Sequence, residues 1–184
     1  MNPISFKLTP FESTEQMAAV DISGTVSRRG NKFSIQYLLS GEMSSVELPA
    51  SDSGGKRRDL LWEKTCFEYF LRPADSSLSH YWEVNLSPAG DWNVFALSDY
   101  RKGLVEEVAI AHLPFHTQRS PDGLQLNLSM DLEPLIGNRD ALIGISTVLI
   151  SAGQPSYWAI SHPAVQADFH HPKSFVLPLP YRDV

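Results

Sequence analysis

Apolar and polar residues alternate along several stretches of the chain. Ala18, Val20, Ile22, Gly24 and Val26 alternate with Ala19, Asp21, Ser23 and Thr25. Phe33, Ile35 and Tyr37 repeat the pattern, and Leu124, Leu126, Leu128 and Met130 repeat it again around Gln125, Asn127 and Ser129. A period of two places apolar side chains on one face of a strand and polar ones on the other. Two further runs, Thr65–Leu71 and Ala141–Ile150, are apolar on both parities, as central strands covered on both faces are. Turn formers separate these runs: Arg29-Gly30-Asn31, Ser53-Gly54-Gly55, Pro88-Ala89-Gly90-Asp91 and Pro121-Asp122-Gly123. About ten strands at this spacing predict an all-β, antiparallel sandwich of two sheets, immunoglobulin-like or jelly-roll-like.

One short helix is expected over Asp131–Gly137, with Asp131 capping, Pro134 in the first turn and Gly137 ending it. Residues 102–111 fit neither period cleanly. The stretch Pro49–Asp59 reads as a polar, glycine-rich loop and is the expected mobile segment. Pro172, Pro178 and Pro180 predict an extended, edge-like ending.

At 184 residues the chain is expected to form one domain, spanning 1–184, and to bury a core without staples. A net charge of −6 disfavours nucleic acid and anionic membranes as partners. The run Lys56-Arg57-Arg58 is too short to reverse this and reads as a solvated loop. The single cysteine, Cys66, forms no internal disulfide and lies in an apolar run, as a small buried hydrophobe does. Met1–Lys7 has no signal-peptide pattern and no segment has membrane-span length, so a soluble, cytoplasmic protein is expected.

Three stretches carry a resemblance. They are Arg58–Leu71 (RDLLWEKTCFEYFL), Tyr81–Phe95 (YWEVNLSPAGDWNVF), and Tyr157–Pro163 (YWAISHP) followed by Ala167-Asp168-Phe169-His170. In this order they resemble the DOMON-like superfamily of β-sandwiches, which includes family 9 carbohydrate-binding modules and cytochrome-type haem-binding domains. The match is closest to small stand-alone bacterial DOMON-like proteins and covers roughly 53–177. The resemblance implies the sandwich, and a bound sugar or haem in some members.

The residues themselves supply candidate chemistry. Glu68, Glu83, Asn85 and Asn93 are polar positions in otherwise apolar strands, and a buried carboxylate without partners is costly. They must be paired with neighbours such as Lys64 and Arg101, reach solvent, or line a concavity. Carboxyl and carboxamide groups suit sugar hydroxyls, and tryptophan supplies a flat stacking surface. Trp62, Trp92 and Trp158 are the candidate platforms, with core packing as the competing reading. Ligand contacts are therefore expected from Trp62, Glu68, Glu83, Asn85, Trp92, Trp158 and His162.

His162, Asp168, His170 and His171 form the densest set of potential metal ligands, but their spacing matches no standard site. Haem would need an axial Met or His; Met17, Met43 and Met130 are available, yet Met130 alternates with core-type leucines. No cofactor is expected. Neither a nucleophile elbow nor a phosphate loop is present, and Glu68 with Glu83 would serve glycoside hydrolysis only at about 5–10 Å separation. The expected function is a non-catalytic domain that binds a carbohydrate or related polar small molecule. The alternatives are an interaction or scaffold protein, with self-association compatible with it, and an enzyme using the histidine cluster or the glutamates.

Overall fold

The computed structural model describes residues 2–13, 19–50, 55–75 and 79–182. Two antiparallel sheets face each other. The first runs β1 (Ile4–Lys7), β3 (Val20–Arg29), β4 (Lys32–Gly41), β10 (Gly123–Asp131), β9 (Phe115–Ser120) in spatial order. The second runs β2 (Thr9–Pro10), β12 (Gln154–Ala159), β11 (Ala141–Ser151), β5 (Cys66–Pro73), β6 (Tyr81–Leu86), β7 (Trp92–Leu97), β8 (Val105–Glu106), and β13 (Leu177–Leu179) lies against the start of β11. The expected sandwich is therefore present. Its extra strands, β2, β8 and β13, are two or three residues long, too short to carry a hydrophobic period. Ala18, Met17 and the Ser53-Gly54 part of one turn signal lie outside the described residues.

The alternating runs became strands with one face inward. In β3 and β4 every second residue is buried. Phe33, Tyr37, Leu39, Leu124 and Leu126 of the first sheet meet Phe67, Tyr69, Leu71, Val84 and Ile145 of the second in one core. Tilted aromatic pairs, Phe33 with Tyr69 and Tyr37 with Phe67, span the sheets at 5.1 Å between ring centres. Both buried tyrosines satisfy their hydroxyls. Tyr37 donates to the Glu68 backbone carbonyl at 2.6 Å and Tyr69 to the Met130 sulfur at 2.9 Å.

The helix α1 (Glu133–Ile136) sits where expected and buries Leu135 and Ile136 under one end of the sandwich. The Asp131 carboxylate accepts the Glu133 N–H at 2.8 Å, and Gly137 ends the turn at φ 56°.

The runs apolar on both parities are β5 and β11, at the centre of the second sheet, and the short β6 beside β5 is buried throughout as well. The opposing sheet covers only one face of them. The other face is covered by the chain after β12: Phe169 and Phe175 pack on Phe70, Tyr81, Phe95 and Leu97 in a smaller second core. Residues 160–176 thus form a strap across the outer face. The strap covers part of that face and leaves a cleft beside it.

If Tyr37 holds the two sheets in register above Glu68, Tyr37→Phe should cost about 1 kcal/mol in urea unfolding. Phe67→Ala, which opens the core itself, should cost about 3–5 kcal/mol.

Candidate functional site

Strand register decides which side chains reach the outer face. Glu68 pairs with Asn85 on one side and with Ser146 on the other, and Phe70 pairs with Glu83. Cross-strand partners share a face. Phe67, Tyr69, Val84 and Leu86 point into the core, so Glu68, Glu83 and Asn85 are sent together to the opposite side. There a cleft of about 390 Å³ opens, lined by Trp62, Glu68, Glu83, Arg101, Tyr157 and His170 among others.

Glu68 is 2% exposed and its Oε1 has no hydrogen-bond partner. The Oγ of Ser146, its cross-strand neighbour, has none either. Burial pushes the Glu68 carboxyl well above the ordinary carboxylate range, and the nearby Glu83 charge adds to the effect. Glu83 is raised as well, by burial, although the Asn85 amide donates to its Oε1 at 2.8 Å and Arg101 lies near. Cys66 lies under these carboxyls. Burial first, and Glu68 second, push its thiol up, so it is no nucleophile.

His170 closes one side. Its Nδ1 lies 2.8 Å from the Tyr81 hydroxyl, and its Nε2 lies 3.8 Å from Oε2 of Glu83. The Tyr81 oxygen already accepts the Arg101 N–H at 3.2 Å. Donation of the tyrosine hydroxyl to Nδ1 leaves the imidazole hydrogen on Nε2, facing Glu83. Burial, then the Arg101 charge, push the His170 pKa down to about 4, so the ring is neutral. Tyr81 is pushed up to about 12 by burial.

The strap is fastened beside this group. Asp168 accepts from Arg101 at 2.8 Å and from the Tyr100 hydroxyl at 2.5 Å. Burial opposes the Asp168 charge, but the bonds from Tyr100 and Arg101 outweigh it and hold the carboxyl below its usual pKa. Two of the three non-glycine residues with left-handed backbone among those described lie at the cleft. Leu60 (φ 58°) enters the turn that presents Trp62, and Arg101 (φ 54°) presents the Asp168 clasp. Each such residue costs on the order of 1 kcal/mol and persists only where its surroundings impose it.

The cleft brings together Trp62, Glu68 and Glu83 of the expected ligand contacts, with Asn85 on the same face donating to Glu83. It does not include the other three. Trp92 lies on the inner face of β7, 6% exposed, with the Arg57 guanidinium over its ring at 4.4 Å. Trp158 is 3% exposed in the core and donates to Ser156 Oγ at 2.9 Å. Both belong to core packing because the parity of their strands turns them inward. His162 lies at the sheet edge, with Nε2 2.8 Å from the Thr9 carbonyl and its ring against Phe11.

The sequence cluster around residue 168 also comes apart. Asp168 is taken by Arg101 and Tyr100, His170 by Tyr81, and the Nδ1 of His171 accepts the Lys173 N–H. Among the described residues no three His, Cys, Asp or Glu side chains are placed to hold a metal ion. Haem does not fit the cleft. Among the described residues no methionine lines it, the one imidazole that does is held by Tyr81, and the Met130 sulfur is occupied in the core. Asn93, polar in a central strand, faces a different partner: it accepts from Arg57 and donates to Asp59 and to the Arg58 carbonyl. Arg57 is accordingly a half-buried tie between strands, not a solvated loop residue.

Sequence reading missed Tyr81, Tyr157 and Phe169 as site residues. Tyr157 and Tyr81 stand on the outward parity of their strands, which the pairing pattern encodes; Phe169 reaches the site only through the strap.

The sequence matches no protein-family profile and no curated protein. Solved structures share its architecture, among them the following two. A proposed carbohydrate-binding protein from Bacteroides uniformis superposes with a TM-score of 0.68 over 92% of this chain and 84% of that one, at 12% identity. A family 9 carbohydrate-binding module from Caldicellulosiruptor kristjanssonii, solved in complex with glucose, gives 0.55 over 95% and 81%, at 11% identity. The likeness is one of fold: both share the antiparallel two-sheet β-sandwich of this chain.

The buried groups make stability depend on pH in two opposite ways. A raised Glu68 favours the folded state at low pH, and this is lost as pH rises from the ordinary 4.5 through the folded value. A lowered His170 favours the folded state above 6.5, and this is lost as pH falls towards about 4. In thermal melts between pH 4 and 8, Glu68→Gln should therefore gain on the wild type as pH rises. His170→Gln should gain on it as pH falls below 6.5.

Proposed function

We propose that the cleft binds a neutral sugar, and that the protein acts as a carbohydrate-binding module without catalysing a reaction on its ligand. The observation that carries this reading is the unpartnered Glu68 Oε1, buried at the floor of an open cleft with Trp62 at its side. A buried polar atom without a partner costs on the order of 1–3 kcal/mol. A ligand hydroxyl that donates to Oε1 removes that cost. Trp62 packs edge-on against Phe95 at 5.8 Å, which fixes the indole as a platform. A rigid aromatic plane beside convergent polar groups is the composition of sugar sites.

Support from outside the cleft runs the same way. One structure with this fold holds glucose. The resemblance of Arg58–Leu71 and Tyr81–Phe95 to DOMON-like domains spans the two strands that carry Glu68 and Glu83.

A second reading rests on β8. Val105 and Val108 are 60% and 86% exposed at that sheet edge, as in a surface that meets a protein partner or a second copy. Light scattering decides it: a monomer at all concentrations removes self-association.

Calorimetric titration with glucose, galactose and mannose should give saturable binding of at least one sugar, accompanied by a change in tryptophan fluorescence. Trp62→Ala and Glu68→Ala should each weaken that binding tenfold or more, while Trp92, in the core, should matter only through stability. Absence of saturation by every sugar at tens of millimolar defeats the proposal.

A further inference from the structure

A second cavity adjoins the cleft. It measures about 410 Å³, close to the first, and is lined by Phe11, Glu12, Pro155, Ser156, Val165 and Gln166. The two share Tyr157 and Ala167 as a common wall. Tyr157 projects from the outward face of β12, next to Val148 of the first cavity, and is 42% exposed. Its ring stands edge-on to Phe169 of the strap at 6.1 Å, and its carbonyl accepts the Phe11 N–H at 2.8 Å. The wall is therefore held from both sides and stands proud of two hollows of similar size.

We infer that the two hollows form one groove that takes consecutive residues of an oligosaccharide, with Tyr157 as the stacking surface between them. The inference rests on the sugar-binding reading of the first cavity and adds the substrate class: a sugar chain, bound more tightly than a free monosaccharide. The second hollow has the right composition for a further sugar unit, an aromatic and a proline for the ring faces and the Glu12 carboxylate and Gln166 amide for hydroxyls. Val165, 97% exposed on its rim, is an apolar side chain with no packing role.

An extended peptide is a poor occupant. A peptide docks on a sheet edge through free backbone groups. On this edge Pro155 has no N–H, the Tyr157 carbonyl is bonded to Phe11, and Trp158 and Ala159 are paired to β2.

The test compares chain lengths on the intact protein. Titrations use glucose, its β-1,4 dimer and trimer, and its α-1,4 dimer, against the wild type and Val165→Arg, a surface change that leaves the core untouched. The expected result is that at least one dimer binds the wild type tenfold or more tighter than glucose. In Val165→Arg that gain disappears while glucose binding stays within twofold. Glucose binding with no gain from any dimer or trimer overturns the groove and leaves the sugar-binding reading standing. So does a Val165→Arg protein that loses glucose and dimer equally or keeps the full gain. No binding by any of these sugars overturns both.

Discussion

A carboxylate in the middle of a sheet has two directions to point, and only one is tolerable between packed sheets. Burying an unpaired charge in a core of Phe67, Tyr69 and Val84 would cost many kcal/mol. The period of two in β5 and β6 settles the direction for Glu68 and Glu83 at the same time as it fills the core. Every apolar contact that places Phe67 and Tyr69 inward also holds Glu68 outward, and the Tyr37 hydroxyl bonds the backbone of Glu68 itself. The candidate site is thus held by the main core, and a side chain there cannot rotate to the inner face without a register slip of the strand.

The outer face would be an ordinary wet face if the strap did not cross it. Phe169 and Phe175 remove water from Phe70 and Tyr81, and this burial leaves Glu68 and His170 in a poor dielectric. The strap is fixed at one point by Asp168 to Arg101 and Tyr100. Its placement turns a flat sheet into a cleft with walls, Trp62 from the turn before β5 on one side and Tyr157 from β12 on the other.

The fold was legible because each layer of the sandwich writes its period into the chain, from Val20 to Val26 and from Leu124 to Met130. The polar floor of the cleft was legible for the same reason, since Glu68, Glu83 and Asn85 interrupt apolar strands on one parity. The tryptophans were less so. Indole composition alone does not say which way a side chain points, and the registers of Trp92 with Leu86 and of Trp158 with Thr147 put both in the core. The histidine cluster misled because nearness in sequence is not nearness in space within an extended strap. Asp168, His170 and His171 turn to three different partners. Arg57 was hidden in a charged loop, where only the tertiary contact with Trp92 reveals it.

The electrostatics of the cleft bear on what it can accept. Among the described residues that line it, the one strong cation, Arg101, is already matched by Asp168. Burial raises both glutamates, and the Glu83 charge raises Glu68 further, so two negative charges side by side are disfavoured here. His170 is neutral. The cleft therefore offers donors and acceptors but little net field. A phosphate or carboxylate entering it would be stripped of water with no free cation among the described lining residues to meet it. A neutral polyol brings its own donors and acceptors and asks for no charge. On the sugar-binding proposal, one of its hydroxyls would donate to the unpartnered Glu68 Oε1. The same burial that makes the site costly to build disfavours charged ligands, which supports the proposal of a neutral, hydroxyl-rich one.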